Sequence, residues 1–539
     1  MSDRFFRPRG TAISDDARWV VATVLVAGAF GGGMRQPAAT PGVAVPPPQW
    51  SAVEIPAGRV DQAVAKLDGL AGSLHDATGV PGMAVAVVHG DRLLYARGFG
   101  RRRVGSPEAV DADTVFQLAS VSKPLGATVV AAAVGRGGIG WDTPVAQASP
   151  GFRLSDPFVT RWVTVGDLYA HRSGLPDHAG DTLEDLGYGR LVILNRLRHL
   201  PLAPFRAVHA YTNFGLTAAA EAVAVVHRMP WARLSEELIY RPLAMTSTSS
   251  EFAVYAARRN KAVGHVREGG AWVIRAVRQP DAQSPAGGAS SNVRDMARWM
   301  QMVLGLGTFG GKEIVARAAL LEALAPQIRS DPPGPPVNRS SFYGYGIGVA
   351  IDGAGRVRLS HSGGFALGAA TQVTLLPSEN LGIVTLTNGM PIGLPEALNA
   401  SFMDLVETGA VQREWLDAFW THAFAGFYRN PSALAGQPQP VTPGPARKLQ
   451  AYTGRYANAY YGEARVVVDA GQLTLLIGPK PMRFRLTHWR GDQFSYEPVG
   501  ENAVGMAAVT FRADASGRID SLEVENFEAG VRVLMRQGS

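Results

Sequence analysis

Cysteine is absent from the 539 residues. Disulfides, thiolate metal sites and a cysteine nucleophile are therefore excluded. Lysine is scarce, occurring only at positions 66, 123, 261, 312, 448 and 480 against many arginines. No H-E-x-x-H is present and the eleven histidines show no zinc spacing, so any chemistry is expected to need no metal and no cofactor. The net charge of +7 is small for this length. Basic residues do not interleave with aromatics, which argues against nucleic acid as a partner. Arg101-Arg102-Arg103 reads as a solvated strand end. An apolar fraction of 46% with 18% charged residues describes a globular chain. Its length exceeds one compact core, so two folded units and a linker are expected. No repeat of solenoid period is visible.

Long apolar runs are also lacking. The apolar segment Trp19 to Phe30 is short for a membrane span, follows Arg4, Arg7, Arg9 and Arg18, and ends near the small residues Ala27-Gly28-Ala29. Residues 1–34 are therefore read as a signal peptide or anchor, which would place the protein in the periplasm or tether it facing that compartment, and in the cytoplasm if the segment is no signal. Residues 35–58, with Pro46-Pro47-Pro48, form a proline-rich linker. Val60, Val64, Leu67, Leu70 and Leu74 recur at helical spacing. Met83–His89 and Arg92–Phe99, joined by Gly90-Asp91, read as a hairpin. A mainly helical stretch from 155 to 245 follows, then a helix at 294–306 and strands at 346–351, 357–361, 369–376 and 382–387. Helices at 394–407 and 415–428 precede a proline- and glycine-rich linker over 431–445. Beyond Leu449 come short alternating runs, at 465–468, 473–477, 482–486, 508–511, 519–524 and 531–535, expected to form a small all-β sandwich or barrel.

The stretch Ser120-Val121-Ser122-Lys123 opens an apolar run, Leu125 to Val134, that reads as a helix. Positions i and i+3 share a helix face, so the Ser120 hydroxyl and the Lys123 amine can meet. That is a nucleophile beside a possible base. An unperturbed lysine, with a pKa near ~10.4, is almost wholly charged at pH 7, and burial among Leu118, Val121, Leu125 and Val129 is the means to free its lone pair. An isolated S-x-x-K is more often a capping serine with a surface lysine. Here the scarcity of lysine and the partners downstream count against that. Tyr211-Thr212-Asn213 offers a phenol to relay a proton and a carboxamide to hold both Lys123 and a substrate amide. His361-Ser362-Gly363-Gly364 ends a strand-like run where glycine permits close approach of a substrate backbone. Alone, each tripeptide or tetrapeptide is more often structural.

Taken in order, these residues resemble the penicillin-recognising serine hydrolases: class C β-lactamases, D,D-peptidases, D-aminopeptidases and related esterases. Asp167-Leu168-Tyr169-Ala170-His171-Arg172-Ser173-Gly174-Leu175-Pro176, Arg241-Pro242-Leu243-Ala244-Met245 and Pro285-Ala286-Gly287-Gly288 extend the likeness across residues 60–400. The resemblance implies an α+β fold: a β-lactamase-like domain over 59–408, an antiparallel sheet flanked by helices with a helical insert. A helix and linker at 409–445 and a lipocalin-like barrel at 446–539 would follow. It implies Ser120 as the acylated nucleophile, Lys123 as its base, Tyr211 as a proton shuttle and His361 as a further catalytic position. Asn213, Gly363 and Gly364 would bind substrate or the oxyanion, and His171 and Ser173 would buttress the site. A histidine at 361, where β-lactamases and penicillin-binding proteins usually carry lysine, weakens the grip on a β-lactam carboxylate. The expected activity is a metal-free peptidase or amidase on short or unusual peptides, D-, iso-linked or linearised cyclic. The alternatives are a short-chain esterase, a weak β-lactamase, or, from another class, a non-catalytic peptidoglycan-binding module. The partner is then a small peptide, amide or ester, with membrane contact only through the N-terminal segment and the oligomeric state open.

Overall fold

The computed structural model describes residues 51–538 apart from positions 52, 333, 336, 337 and 504. The signal or anchor at 1–34 and the linker up to residue 50 lie outside the described residues.

A helix, α1 (Arg59–Thr78), leads into the hairpin β1 (Gly82–His89) and β2 (Arg92–Gly100). Later segments complete an eight-stranded antiparallel sheet: β3 (Ile328–Arg329), β4 (Phe342–Tyr343), β5 (Gly348–Ile351), β6 (Val357–Phe365), β7 (Ala369–Leu376) and β8 (Leu381–Thr387), in the order β2-β1-β8-β7-β6-β5-β4-β3. β1 is the central case. Its side chains alternate between two cores, as a period of two requires. Met83, Val85 and Val87 join α1 and the C-terminal helix of this unit (Leu394–Glu407), whereas Ala84, Ala86 and Val88 face the opposite cluster. Each large side chain so buried contributes roughly 1.5–3 kcal/mol. The opposite cluster holds the helices α2 (Ser122–Gly135), α3 (Asn213–Val226) and α4 (Val293–Leu304).

α2 is buried on every face from Ser122 to Ala133, as a helix apolar all round must be. Pro124 falls in its first turn, where backbone N–H groups have no helical partner in any case. The helix can thus begin directly after Ser120, which sits not in α2 itself, as the spacing predicts, but in the 3-10 turn Ala119–Val121 just before it. The expected helical insert is present as short helices between residues 157 and 240, together with α3.

The C-terminal strands close into an eight-stranded up-and-down barrel: β9 (Gly454–Asn458), β10 (Gly462–Asp469), β11 (Gln472–Ile477), β12 (Met482–Arg490), β13 (Gln493–Tyr496), β14 (Ala507–Ala513), β15 (Ile519–Val524) and β16 (Val533–Arg536), with β9 returning to β16. Sequence alternation missed β9 and β13. Both are short, and β13 has the run Phe494-Ser495-Tyr496 buried throughout. Tyr452, Tyr456, Phe494 and Phe511 pack against one another inside the barrel, three of the four ring pairs edge to face and Tyr452 tilted on Phe511, so its interior is filled by side chains. The segment 431–445 lacks regular structure but is not a free tether: Leu434 is buried against Trp489 and Ala508, and Ser432 and Ala433 donate to Glu525.

The barrel docks on the helical insert. Tyr188 donates to the Tyr461 carbonyl at 2.8 Å, and Thr182 and Tyr461 share a hydrogen bond of 2.8 Å. Its β13–β14 loop is held by Asp185, whose carboxylate accepts from the backbone N–H of Glu501 at 2.8 Å and of Asn502 at 3.0 Å. Gly500, at φ 108°, lies so close to Asp185 that a side chain there would collide with it.

Candidate active site

Ser120 is presented by a turn that the surroundings hold under strain. Ala119 has φ 47°, a left-handed conformation costing an alanine about 1–2 kcal/mol. Hydrogen bonds on both sides keep it there. Leu118 N–H donates to the Ala289 carbonyl at 2.9 Å, and the Leu118 carbonyl accepts from Thr371 Oγ1 of β7 at 2.7 Å and from Val121 N–H at 3.2 Å. β6 runs alongside. Gly363 comes so near that a Cβ there would lie 2.9 Å from the Ser120 nitrogen and strike the Leu118 carbonyl. The absence of a side chain at Gly363 therefore lets the strand edge reach the Ser120 turn, while Gly364 makes room for Pro391.

Three of the sequence-predicted residues converge on Ser120 Oγ or on its neighbour. Lys123 Nζ lies 3.0 Å from Oγ, and Tyr211 OH donates to the same oxygen at 2.8 Å. Asn213, at the start of α3, accepts from Lys123 Nζ through Oδ1 at 2.7 Å. A further partner was not foreseen: the Ala286 carbonyl accepts from Nζ at 3.0 Å. Lys123 is wholly buried, and its ammonium lies 4.4 Å from the centre of the Tyr211 ring. Burial pulls its pKa down to about 7, with the Asp181 carboxylate acting in the opposite sense. Burial also pushes the Tyr211 phenol above its ordinary range, the Ser120 hydrogen bond opposing it, so that Tyr211 is a proton donor at neutral pH.

The segment 167–176 supports this group from behind. His171, at φ 56°, accepts from Thr212 N–H through Nδ1 at 3.1 Å, its carbonyl accepts from Ala210 N–H, and its ring packs on Tyr211 at 4.6 Å. Burial and the neighbouring Lys123 hold this imidazole neutral. Asp167 anchors the segment by pairing with Arg172 and Arg206.

His361 lies beside this group, its ring centre 6.4 Å from that of Tyr211. Both ring nitrogens are engaged elsewhere, Nε2 with Tyr343 OH at 2.7 Å and Nδ1 with the Ser362 carbonyl at 2.6 Å. Neither forms a hydrogen bond to Ser120, Lys123 or Tyr211. Burial, reinforced by Lys123, pulls the imidazole down to about 3, which leaves it uncharged at neutral pH.

Ser120, Tyr211, Asn213, Gly363 and Gly364 line a cavity of about 190 Å³. Its walls also include residues that the sequence did not single out: His178, Asp181, Arg278, Gln283, Phe365, Pro391, Glu396, Phe424, Phe427, Glu501 and Asn502. Arg278 pairs with Glu184 and approaches Glu501. Burial pushes Glu396 up to about 7 and Glu501 up to about 8, with Arg278 opposing the latter. Glu501 also accepts from the Ala366 and Leu367 N–H groups at the end of β6. The barrel thus supplies part of the wall. His178 and Asp181 follow directly on the 167–176 segment, and that adjacency was the one signal available for them. No local pattern could have pointed to Glu501, which lies far along the chain.

A family model described as Beta-lactamase matches residues 60–407. The chain belongs to the Beta-lactamase family. The members it resembles make it a serine hydrolase by descent. A model described as a domain of unknown function (DUF3471) matches residues 438–537, the region of the barrel. Among individual proteins, the Unguisins hydrolase ungD of Aspergillus violaceofuscus is 24% identical over 449 residues, covering 72% of this chain and 74% of that one. The D-alanyl-D-alanine-carboxypeptidase/endopeptidase AmpH of Escherichia coli K12 is 26% identical over 339 residues, covering 61% and 85%. The octameric penicillin-binding protein homologue from Pyrococcus abyssi superposes with a TM-score of 0.52 at 19% identity, over 88% of this chain and 100% of that chain. At that identity the likeness speaks for the β-lactamase-like fold alone.

Proposed function

We propose that this family member is a peptidase or amidase that acylates Ser120, with Lys123 as the base and Tyr211 as the proton shuttle. The observation that carries this reading is the hydrogen-bond count at Lys123. A neutral lysine amine has two N–H donors and one lone pair. Asn213 Oδ1 and the Ala286 carbonyl are acceptors only, and they take both donors. In the neutral form the lone pair is left facing Ser120 Oγ, whereas in the ammonium form the third N–H donates to it. With the amine pulled down to about 7, about half of it is neutral at pH 7.

In the acylation step Oγ bonds to the substrate carbonyl carbon while its proton passes to Lys123 Nζ. Collapse of the tetrahedral adduct breaks the carbon–nitrogen bond, and the departing amine takes a proton from Tyr211, which is resupplied from Lys123. Water then attacks the ester, giving its proton to the same pair; the carbon–Oγ bond breaks, the pair returns that proton to Oγ across its hydrogen bonds, and the acid and Ser120 are released. Backbone N–H groups at the Ser120 turn and the Gly363-Gly364 edge would hold the oxyanion, each such donor contributing about 3–4 kcal/mol.

Peptides are favoured as substrates by the wall chemistry. The amides of Asn213, Gln283 and Asn502, each hydrogen-bonded once or twice within the protein, retain spare acceptor and donor positions that match a peptide backbone, beside the apolar rings of Phe365, Phe424 and Phe427. The cavity is too small for a folded chain but accommodates a short extended one. Among the described lining residues, Arg278 is paired with Glu184 and His178 with Asp181, and His361 is uncharged, so a β-lactam or C-terminal carboxylate meets no cation without an anionic partner of its own. The names of the two relatives, a carboxypeptidase/endopeptidase and a hydrolase, are consistent with this class.

The test is a panel of linear peptides (L-, D- and iso-linked), p-nitrophenyl acetate and nitrocefin, run with wild type, Ser120→Ala and Lys123→Ala. Peptide turnover lost in both variants is the expected result. Turnover of the ester alone would reassign the protein as an esterase, and a wild type that neither turns over a substrate nor labels with a fluorophosphonate would overturn the proposal.

A further inference from the structure

Behind Asn213 lies a carboxylate that the chemistry above does not use. Asp181 is 5% exposed. Its Oδ2 accepts from Asn213 Nδ2 at 2.9 Å and from His178 Nδ1 at 2.9 Å, and its Oδ1 has no hydrogen-bond partner among the described residues. His178, Asp181, Asn213, Lys123 and Ser120 thus form one continuous chain of hydrogen bonds.

The direction of that chain matters. A primary amide has one accepting and one donating end, and nothing in the amide itself decides which faces Lys123. With Nδ2 towards Lys123, the amine would use its lone pair to accept from Asn213, and Ser120 would face an N–H. A carboxylate only accepts, so Asp181 admits one orientation.

We propose that Asp181 is a positioning residue: it fixes the Asn213 amide with Oδ1 on Lys123, and so aims the Lys123 lone pair at Ser120. This rests on the assignment of Ser120 and Lys123 made above. The charge has a second effect of known sign. The titratable groups around Lys123 are Asp181, Tyr211, His171, His178 and His361. Tyr211, His171 and His361 are held neutral. His178 is raised by its hydrogen bond to Asp181. The Asp181 carboxylate favours the ammonium form of Lys123.

The experiment follows the rate of fluorophosphonate labelling of Ser120 against pH in the full-length wild type, Asp181→Ala and Asp181→Asn. Asp181→Ala releases the Asn213 amide and should slow labelling roughly thirtyfold, the factor expected for losing a charge-assisted hydrogen bond. Asp181→Asn keeps an oxygen to accept from Nδ2 while removing the charge. A second amide can accept from Nδ2 but no longer enforces one orientation, so it should recover only part of the rate, and it should move the acid limb of the pH profile down by about one pH unit. Residues acting only through packing would not move that limb, and because Asp181→Asn is isosteric it decides the question even where Asp181→Ala fails to fold. The inference is overturned if Asp181→Ala labels like wild type, or if Asp181→Asn leaves the limb in place. If the wild type itself does not label, the Ser120 assignment falls, and this inference with it.

Discussion

Replacing Lys123 by methionine should make the protein more stable relative to wild type at neutral pH than at alkaline pH, and inactive throughout. The lysine is wholly buried and its pKa falls from 10.5 to about 7 in the folded state. In the unfolded chain it returns to its ordinary value. Between those two pH values the unfolded state binds a proton that the folded state does not, so wild-type stability rises with pH across the window. Below about 7 both states are protonated and the full cost of burying the charge is present, about 5 kcal/mol for a drop of this size. Above 10.5 the cost has vanished. Methionine has similar length and no charge, but it leaves Asn213 Oδ1 and the Ala286 carbonyl without their donor, a loss of about 1–3 kcal/mol for each that does not depend on pH. The pH-dependent part is therefore isolated by difference. Urea unfolding of wild type and Lys123→Met at pH 7, 8, 9 and 10 should show the stability difference shifting by roughly 3–4 kcal/mol in favour of wild type as pH rises, since at pH 7 half of the folded-state charge is already lost and at pH 10 the unfolded lysine is still mostly charged. The acid limb of wild-type activity should fall near the same pH of about 7. A stability difference that stays constant from pH 7 to 10 would mean that Lys123 remains charged, and the lone-pair mechanism would fail.

Other substitutions test neighbouring parts of the site. Tyr211→Phe keeps the ring against His171 and removes the hydrogen bond to Ser120 Oγ; kcat should fall by roughly a hundredfold or more with little change in unfolding midpoint, and unchanged kcat would remove Tyr211 from the proton path. Gly363→Ala forces a methyl group against the Ser120 nitrogen and the Leu118 carbonyl. It should lower stability by about 1–3 kcal/mol and reduce turnover on every substrate, measured by denaturation and steady-state kinetics. Glu501→Gln addresses the barrel contact. Burial raises Glu501 to about 8, so from pH 4.5 to 8 the folded state holds a proton that the unfolded state has lost, and wild-type stability declines as pH rises. The glutamine variant lacks this decline, and unfolding curves at pH 5 and pH 8.5 should show it gaining on wild type at the higher pH.

Much of the catalytic unit was legible before any coordinates, because it depends on local spacing. Ser120 and Lys123 meet because a helical turn brings i and i+3 together, whatever surrounds them. β1 and α2 were visible as the apolar runs Met83 to His89 and Leu125 to Val134, but that β1 divides its side chains between two cores came from packing. Tyr211, Asn213 and the 285–288 turn were visible as short motifs, though only the resemblance to a family joined them to Ser120. What local spacing could not supply was direction and environment. The sequence placed His361 among the catalytic residues, but its ring nitrogens are taken by Tyr343 and Ser362, a pairing set by the β4–β6 region of the sheet. The Ala286 carbonyl on Lys123 is a backbone contact, and no side-chain pattern announces one. Asp181 became significant only when folding laid it against the Asn213 amide, and Glu501 only when the barrel docked on Asp185. The pKa of Lys123 belongs to the same class, since burial depends on every element packed around the helix. Amino-acid order determined which groups could do chemistry here; tertiary packing decided which way each one points and what charge it carries, because orientation and desolvation are properties of neighbours distant in the chain.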